Sequence, residues 1–193
     1  MFHKIAEFIL FNIPGMYYLR IFREEASGNT KFVAAIEAPY APEHPATFIS
    51  KAATGKDYVV PPLEGLWRAE DPTDFASNRR ESWKLTLKTF FPEWVTEEHV
   101  HAATSKALAK GIQLAQQVQI LELTEGSAHQ ALHIGSFVDE GPIHEQLHNT
   151  VMPAINVTFT GFQHAMYLSD FRKTAPSKQR TILRQPVKQL NQH

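Results

Sequence analysis

Residues 144–148 read His-Glu-Gln-Leu-His, an H-E-x-x-H pattern. On a helix, two histidines four apart share one face and can ligate one metal ion, while the intervening glutamate activates the metal-bound water. Such a centre needs a third protein ligand beyond the helix. The extended motif would put glycine at 151 and histidine at 154, where the chain has Val151 and Ala154. No glutamate follows Glu145, which leaves His164 and Asp170 as later candidates. Ile143, Leu147 and Val151 recur at i, i+4 and i+8, so the segment reads as a packing helix with His144 and His148 half exposed beside the stripe. No metal is expected. His99 and His101 lie on another helix, where i and i+2 do not face each other, and they are no better placed.

Composition excludes further chemistries. The 193 residues suffice for one substantial domain. Nineteen Lys and Arg against twenty Asp and Glu leave a net charge of −1, so no global field would draw the chain to nucleic acid or to an anionic membrane. The absence of cysteine rules out disulfides, thiolate metal sites and a Cys nucleophile, and it suits a reducing compartment. The opening "MFHKIAEFILFNIPGMYY" is too short in apolar residues to span a bilayer, and it lacks a basic leader with a small-residue cleavage site. A soluble, cytoplasmic protein is expected.

The elements that would position a site follow from periodicity. "FILFNIPGMYYLRIF" (8–22) predicts two short strands around Pro14-Gly15. A helix is expected to begin near Asn29 or Thr30 within 28–55, interrupted by Pro39, Pro42 and Pro45. "DYVVPPLEGLWRAED" (57–71) reads as a strand with a bend at its double proline. In "SWKLTLKTFF" (82–91), Trp83, Leu85 and Leu87 alternate with Lys84, Thr86 and Lys88, predicting one apolar and one wet face. Residues 95–111 predict a helix capped by Thr96 and ended by Gly111. "QVQILEL", "HQALHIGSF", "HAMYLSD" and "TILRQPV" predict further strands, with a short helix over "EGPIHEQLHNTVM". The order is strand pair, helix, strand, strand, then a connecting helix and the same series again. It predicts an α+β fold of duplicated strand–helix–strand–strand modules, with helices stacked on an antiparallel sheet.

Three strings go beyond pattern: "DYVVPPLEGLW" (57–67), "LHIGSFVDEGP" (132–142) and "YLSDFRKTAPSKQRTILRQPV" (167–187). With "FVAAIEAPY" and "SWKLTLKTF" between them, they resemble the stand-alone GyrI-like small-molecule-binding proteins over nearly the whole chain. The resemblance implies a single domain over 1–193, with pseudo-repeats at about 6–92 and 115–187, and an aromatic-lined cleft between its halves. It implies ligands that are bulky and aromatic, hydrophobic or cationic. For some relatives it implies hydrolysis of the strained cyclopropane ring of DNA-alkylating natural products, which would need aromatic walls and a carboxylate to activate water.

Residue by residue, Trp67 and Trp83 match positions of pocket tryptophans, although a Trp on an apolar strand face also reads as core. Relatives usually follow each with a second Trp, where this chain has Arg68 and Leu85, so the aromatic box is thinner. Phe137 replaces a family Tyr. His133 either donates a hydrogen bond into the cleft or is satisfied by its neighbours, and Glu140 either matches a family acidic residue or stabilises a helix N-terminus. Tyr167 shares a strand face with residue 165. Relatives commonly read His-Glu-Ile-Tyr where this chain reads His164-Ala165-Met166-Tyr167, so the carboxylate expected to activate water or offset a cation is missing. Glu122 is a weak substitute candidate. The six basic residues from Arg172 to Lys188, without an acid, read as a solvated loop and an edge strand. The expected function is binding of bulky small molecules for sequestration, sensing or detoxification, with no cofactor, as a monomer or homodimer. A cyclopropane-opening hydrolase and a topoisomerase-interacting protein are the alternatives.

Overall fold

The computed structural model describes residues 45–71, 74 and 83–190 with their side chains, and the backbone of strands 11–13 and 16–23. In chain order the strands are β1 (Phe11–Ile13), β2 (Met16–Arg23), β3 (Leu63–Arg68), β4 (Lys84–Phe91), β5 (Gln119–Leu123), β6 (Gly126–Ile134), β7 (Val157–Phe159), β8 (Gln163–Tyr167) and β9 (Arg180–Gln189). The helices are α1 (45–54), α2 (Glu97–Ala109), α3 (Gly141–Gln146) and α4 (Met152–Ala154), the last two joined by a π turn, Leu147–Val151. The fold is α+β with antiparallel pairing. The chain divides into two compact units. The middle unit comprises Gly15–Gly65 and Leu85–Thr124, and the C-terminal unit comprises Met1–Pro14, Leu66–Lys84 and Glu125–His193.

In the middle unit, β2 lies between β4 and β5, antiparallel to both, with Leu19 opposite Thr89 on one side and Ile120 on the other. Helix α2 forms as its sequence predicts. The Thr96 hydroxyl accepts the His99 amide while His99 Nδ1 accepts the Thr96 amide, a reciprocal cap. Glu97 and Glu98 complement the helix dipole, and Gly111 takes the left-handed conformation beyond the last turn, φ 84°. Val100, Ala103 and Ala107 form its buried face, and the first two join Ala46, Phe91 and Val95 in this unit's core.

One strand face differs from expectation. Lys88, predicted wet, is 0% exposed, and Thr86 on the same face is buried with it. Lys88 forms an ion pair with Glu64 of β3, which is itself buried, and that pairing is what makes the lysine tolerable on an interior face.

In the C-terminal unit the strand order is β1-β6-β9-β8, with β7 also pairing β9, and every pairing is antiparallel. Strand β9 is therefore no edge strand. It is flanked along Arg180–Pro186 by β6, and on its other side by β8 and then β7. Pro186 falls where β8 has ended and β7 has not begun, so its missing N–H interrupts no ladder on that side, and its carbonyl accepts the Thr160 amide. The strands predicted around Pro14-Gly15 both form but do not pair with each other: β1 joins β6, and β2 joins β4 and β5. Strand β7 was not anticipated. The helix expected from about residue 29 lies outside the described residues except for 45–54, which is helical.

The "EGPIHEQLHNTV" segment is helical but not regular. In the π turn the Met152 amide bonds to the Leu147 carbonyl, five residues back. This moves the buried positions to His144, Leu147 and Met152, in place of the predicted Ile143, Leu147 and Val151. His144, expected half exposed, is consequently 3% exposed. Leu147 and Met152 pack with Val157 and Val187 in an apolar cluster of this unit. Among the described residues, no helix is long and apolar enough to cross a membrane.

Candidate functional site

Register sorts the β6–β9–β8 side chains onto two faces. Tyr167 pairs with Thr181, which pairs with His133; Ala165 pairs with Leu183, which pairs with Ala131. These two rows share a face. The next row beyond Ala165, His164–Arg184–Gln130, lies on the other.

The first face carries an aromatic cluster. Trp67 of β3 donates its indole N–H to the Tyr167 hydroxyl at 2.9 Å. Trp83 meets Trp67 edge-on, with ring centroids 5.6 Å apart at 75°. Phe137, in the turn after β6, packs edge-on against Tyr167 at 5.5 Å and against Phe171 at 5.9 Å. Edge-to-face contacts of this kind suit the ring quadrupoles and hold each ring at a fixed angle. All five residues are only partly buried. Burial pushes the Tyr167 hydroxyl strongly up, the nearby Glu140 charge adds to this, and the Trp67 bond opposes it less. Tyr167 is thus a neutral phenol near neutral pH.

His133 is 1% exposed, with its Nε2 2.9 Å from the Ser136 carbonyl oxygen. A carbonyl only accepts, so Nε2 carries the proton and donates. Gly135 makes room for the ring: a Cβ there would come within 3.1 Å of His133 Cε1 and Nε2. Ala165 is 2% exposed beside Leu183 and offers no carboxylate. Glu122 is exposed on β5, in the middle unit.

The opposite face holds what sequence reasoning missed. Glu125 accepts from His164 Nδ1 at 2.9 Å and from Arg184 at 2.9 Å, and Arg184 also donates to Gln130. Burial pushes the Glu125 carboxyl up, but the His164 and Arg184 bonds and charges outweigh it and hold it at about 2. No local signal marked Glu125, which precedes the Gly126 turn in an ordinary "TEGS" loop. Phe171 lies in "YLSDFRKT", where neither its type nor its spacing sets it apart.

The H-E-x-x-H histidines meet each other, ring centroids 5.9 Å apart, and His148 stands edge-on to Phe159 at 4.6 Å. Burial depresses His144 to about 3, with His148 and His133 nearby adding to the shift, and burial depresses His148 to about 4. Glu145 points to solvent. Among the described residues, no group of three His, Cys, Asp or Glu side chains is placed to hold a metal ion.

This is an α+β domain bearing a half-buried aromatic cluster beside a neutral, hydrogen-bonded tyrosine. An uncharacterized conserved protein from Listeria innocua has the same fold, with a TM-score of 0.80 and 30% identity over 94% of this chain and 92% of that one. The chain belongs to the family of that protein. A hydrolase from Listeria innocua is 29% identical, covering 94% of this chain and 91% of that one, with a TM-score of 0.77. The EcmrR C-terminal domain, 11% identical, shares the fold at a TM-score of 0.58 over 97% of this chain and 100% of that domain. No protein-family model and no curated protein matches the chain.

Proposed function

We propose that this chain is a GyrI-like small-molecule-binding domain that takes bulky aromatic, hydrophobic or cationic compounds against Trp67, Trp83, Phe137, Tyr167 and Phe171. The observation that carries the reading is the linked, half-buried ring cluster built on the Trp67–Tyr167 hydrogen bond. Ring faces attract a flat or cationic guest, and the Glu140 charge near Tyr167 adds to the pull on a cation. Sequestration or sensing needs nothing more than this. Titration with a planar cationic dye should quench tryptophan fluorescence and raise the melting temperature by several degrees at saturation. A panel of aromatic and cationic compounds that moves neither signal would remove the proposal.

A second reading is hydrolysis. It is favoured by the 29% identical Listeria innocua hydrolase, whose likeness runs over nearly the whole chain. The substrate class would be strained, conjugated cyclopropanes, held on the same rings. Ala165 means that a group other than a carboxylate at this position must activate the water. A topoisomerase-docking role has no structural observation in its favour.

A further inference from the structure

The two faces of the β6–β9–β8 sheet are covered unequally. On the ring side Ala131, His133, Ala165, Thr181 and Leu183 are all buried. On the other side, beyond the His164–Arg184–Gln130 row, the register gives two further rows, Leu132–Ile182–Met166 and Ile134–Arg180–Leu168. Leu168 lies one residue past β8 and keeps the register, since its amide donates to the Arg180 carbonyl at 2.9 Å. None of these six residues is buried. The inner row is partly exposed, and in the outer row Ile134 and Leu168 are 54% and 39% exposed. Exposed apolar side chains scattered singly are ordinary, whereas an adjoining set on one face marks an interaction surface.

Arg180 carries the only charge in the two rows. It and Lys178, two residues before it, are exposed, and no acid pairs with either among the described residues. The acids close by in the fold are already engaged. Asp170, in the β8–β9 connection, is taken by Arg172 and Lys173, and Glu125, at the next row, by His164 and Arg184.

These features select the occupant. Strand β9 is paired on both sides by β6 and β8, and β6 by β1 and β9, so here the sheet offers side chains and no free strand edge. Three strands spaced by about 4.8 Å make a floor about 10 Å wide, the width of one α-helix. A helix with apolar side chains at i, i+3, i+4 and i+7 covers such a floor. A second copy of this chain suits it poorly, because a two-fold contact centred here sets Arg180 against Arg180 with no acid in either row. The inner row is less exposed than Ile134 and Leu168, so the floor is recessed and fits a helix better than a flat bilayer.

We propose that this face docks an acidic amphipathic helix of another protein. Its apolar stripe lies on Leu132, Ile134, Met166, Leu168 and Ile182, and one of its carboxylates pairs with Arg180. The surface is on the opposite side of the sheet from the ring cluster and works independently of it.

The test uses a fluorescein-labelled helical peptide, about 18 residues of Glu, Ala and Leu with leucines at i, i+3, i+4 and i+7, and a twin with Lys in place of Glu. Anisotropy should give a Kd of about 100 µM or below for the acidic peptide, with the basic twin at least about 10-fold weaker. Arg180→Glu should invert that order. Ile134→Glu should weaken the acidic peptide by about 10-fold or more, with the melting temperature and dye binding at the rings unchanged. No binding of the acidic peptide at about 1 mM, or equal affinity for the twins, overturns the proposal. Displacement of the acidic peptide by saturating planar cationic dye also overturns it, by moving the peptide to the rings. So does self-association in the ultracentrifuge that Ile134→Glu abolishes, which gives the face to a second copy. Co-sedimentation with phosphatidylglycerol vesicles that Ile134→Glu abolishes gives it to a lipid surface instead. Should Ile134→Glu not fold, the exposed Arg180 decides alone: an unchanged preference in Arg180→Glu sinks the idea.

Discussion

His164 and Ala165 are neighbours in β8, yet they face opposite sides of one sheet and meet opposite chemistry. On the His164 side both oxygens of Glu125 are engaged, by an imidazole and a guanidinium, and Arg184 reaches on to Gln130. On the Ala165 side lie the aromatic rings with their neutral phenol, and the buried polar atoms there include His133 Nδ1 and Thr181 Oγ1, which have no hydrogen-bond partner among the described residues. The strands, register and backbone are shared, so the difference is made by side chains alone. A satisfied charge network specifies a fold; polar atoms left without a protein partner mark where a fold has been shaped for something else.

The comparison can be broken most severely on its satisfied side. Glu125→Ala strips a buried partner from His164 and Arg184 and should cost about 3–5 kcal/mol, read as a lower urea midpoint at unchanged slope. Lys88→Met in the middle unit should cost a similar amount by leaving Glu64 buried without its ammonium. The double change Lys88→Met with Glu64→Gln should recover most of that loss.

Acid sharpens the contrast. His144 and His148 have folded-state values depressed to about 3 and about 4 from 6.5, so unfolding takes up protons once pH drops below 6.5. Their contribution is therefore complete above pH 6.5 and falls by about 2 kcal/mol each by pH 5. Glu125, lowered to about 2 from 4.5, keeps its contribution until pH falls below 4.5 and loses about 3 kcal/mol between there and pH 2. Urea midpoints measured from pH 8 to pH 3 should decline in two stages, and His144→Phe with His148→Phe should flatten only the first. The smallest effect lies among the rings. Trp67→Phe removes the bond to Tyr167 and should weaken binding of a planar cation by about 1 kcal/mol, seen as a roughly fivefold higher Kd.

Much of this architecture was legible because it is written locally. Thr96, the two glutamates after it and Gly111 announce α2 with no help from the rest of the chain. The strings that resemble GyrI-like proteins held Trp67, His133, Phe137 and Tyr167, which the structure places in one unit, with Trp83 joining through its contact with Trp67. What was illegible depends on partners distant in sequence. Lys88 looked wet because the alternation of β4 says nothing of Glu64, 24 residues away. Strand β9 looked like an edge because its charges were read as solvated, whereas Arg184 turns to Glu125, 59 residues back. Glu125 itself carried no pattern at all, and Thr181 looked like any β-branched strand residue.

The π turn at Leu147–Val151 also fixes a length. A helix that gains or loses a residue there rotates everything beyond it by about 100°. Met152 would leave the contacts it makes with Val157 and Val187, and β7 would start from a different angle. Insertions and deletions in this stretch should therefore be far harder to accommodate than substitutions. A pattern search that reads His144 and His148 as a metal signature is then counting a spacing held constant for another purpose: keeping a short, irregular helix seated on the strand that follows it.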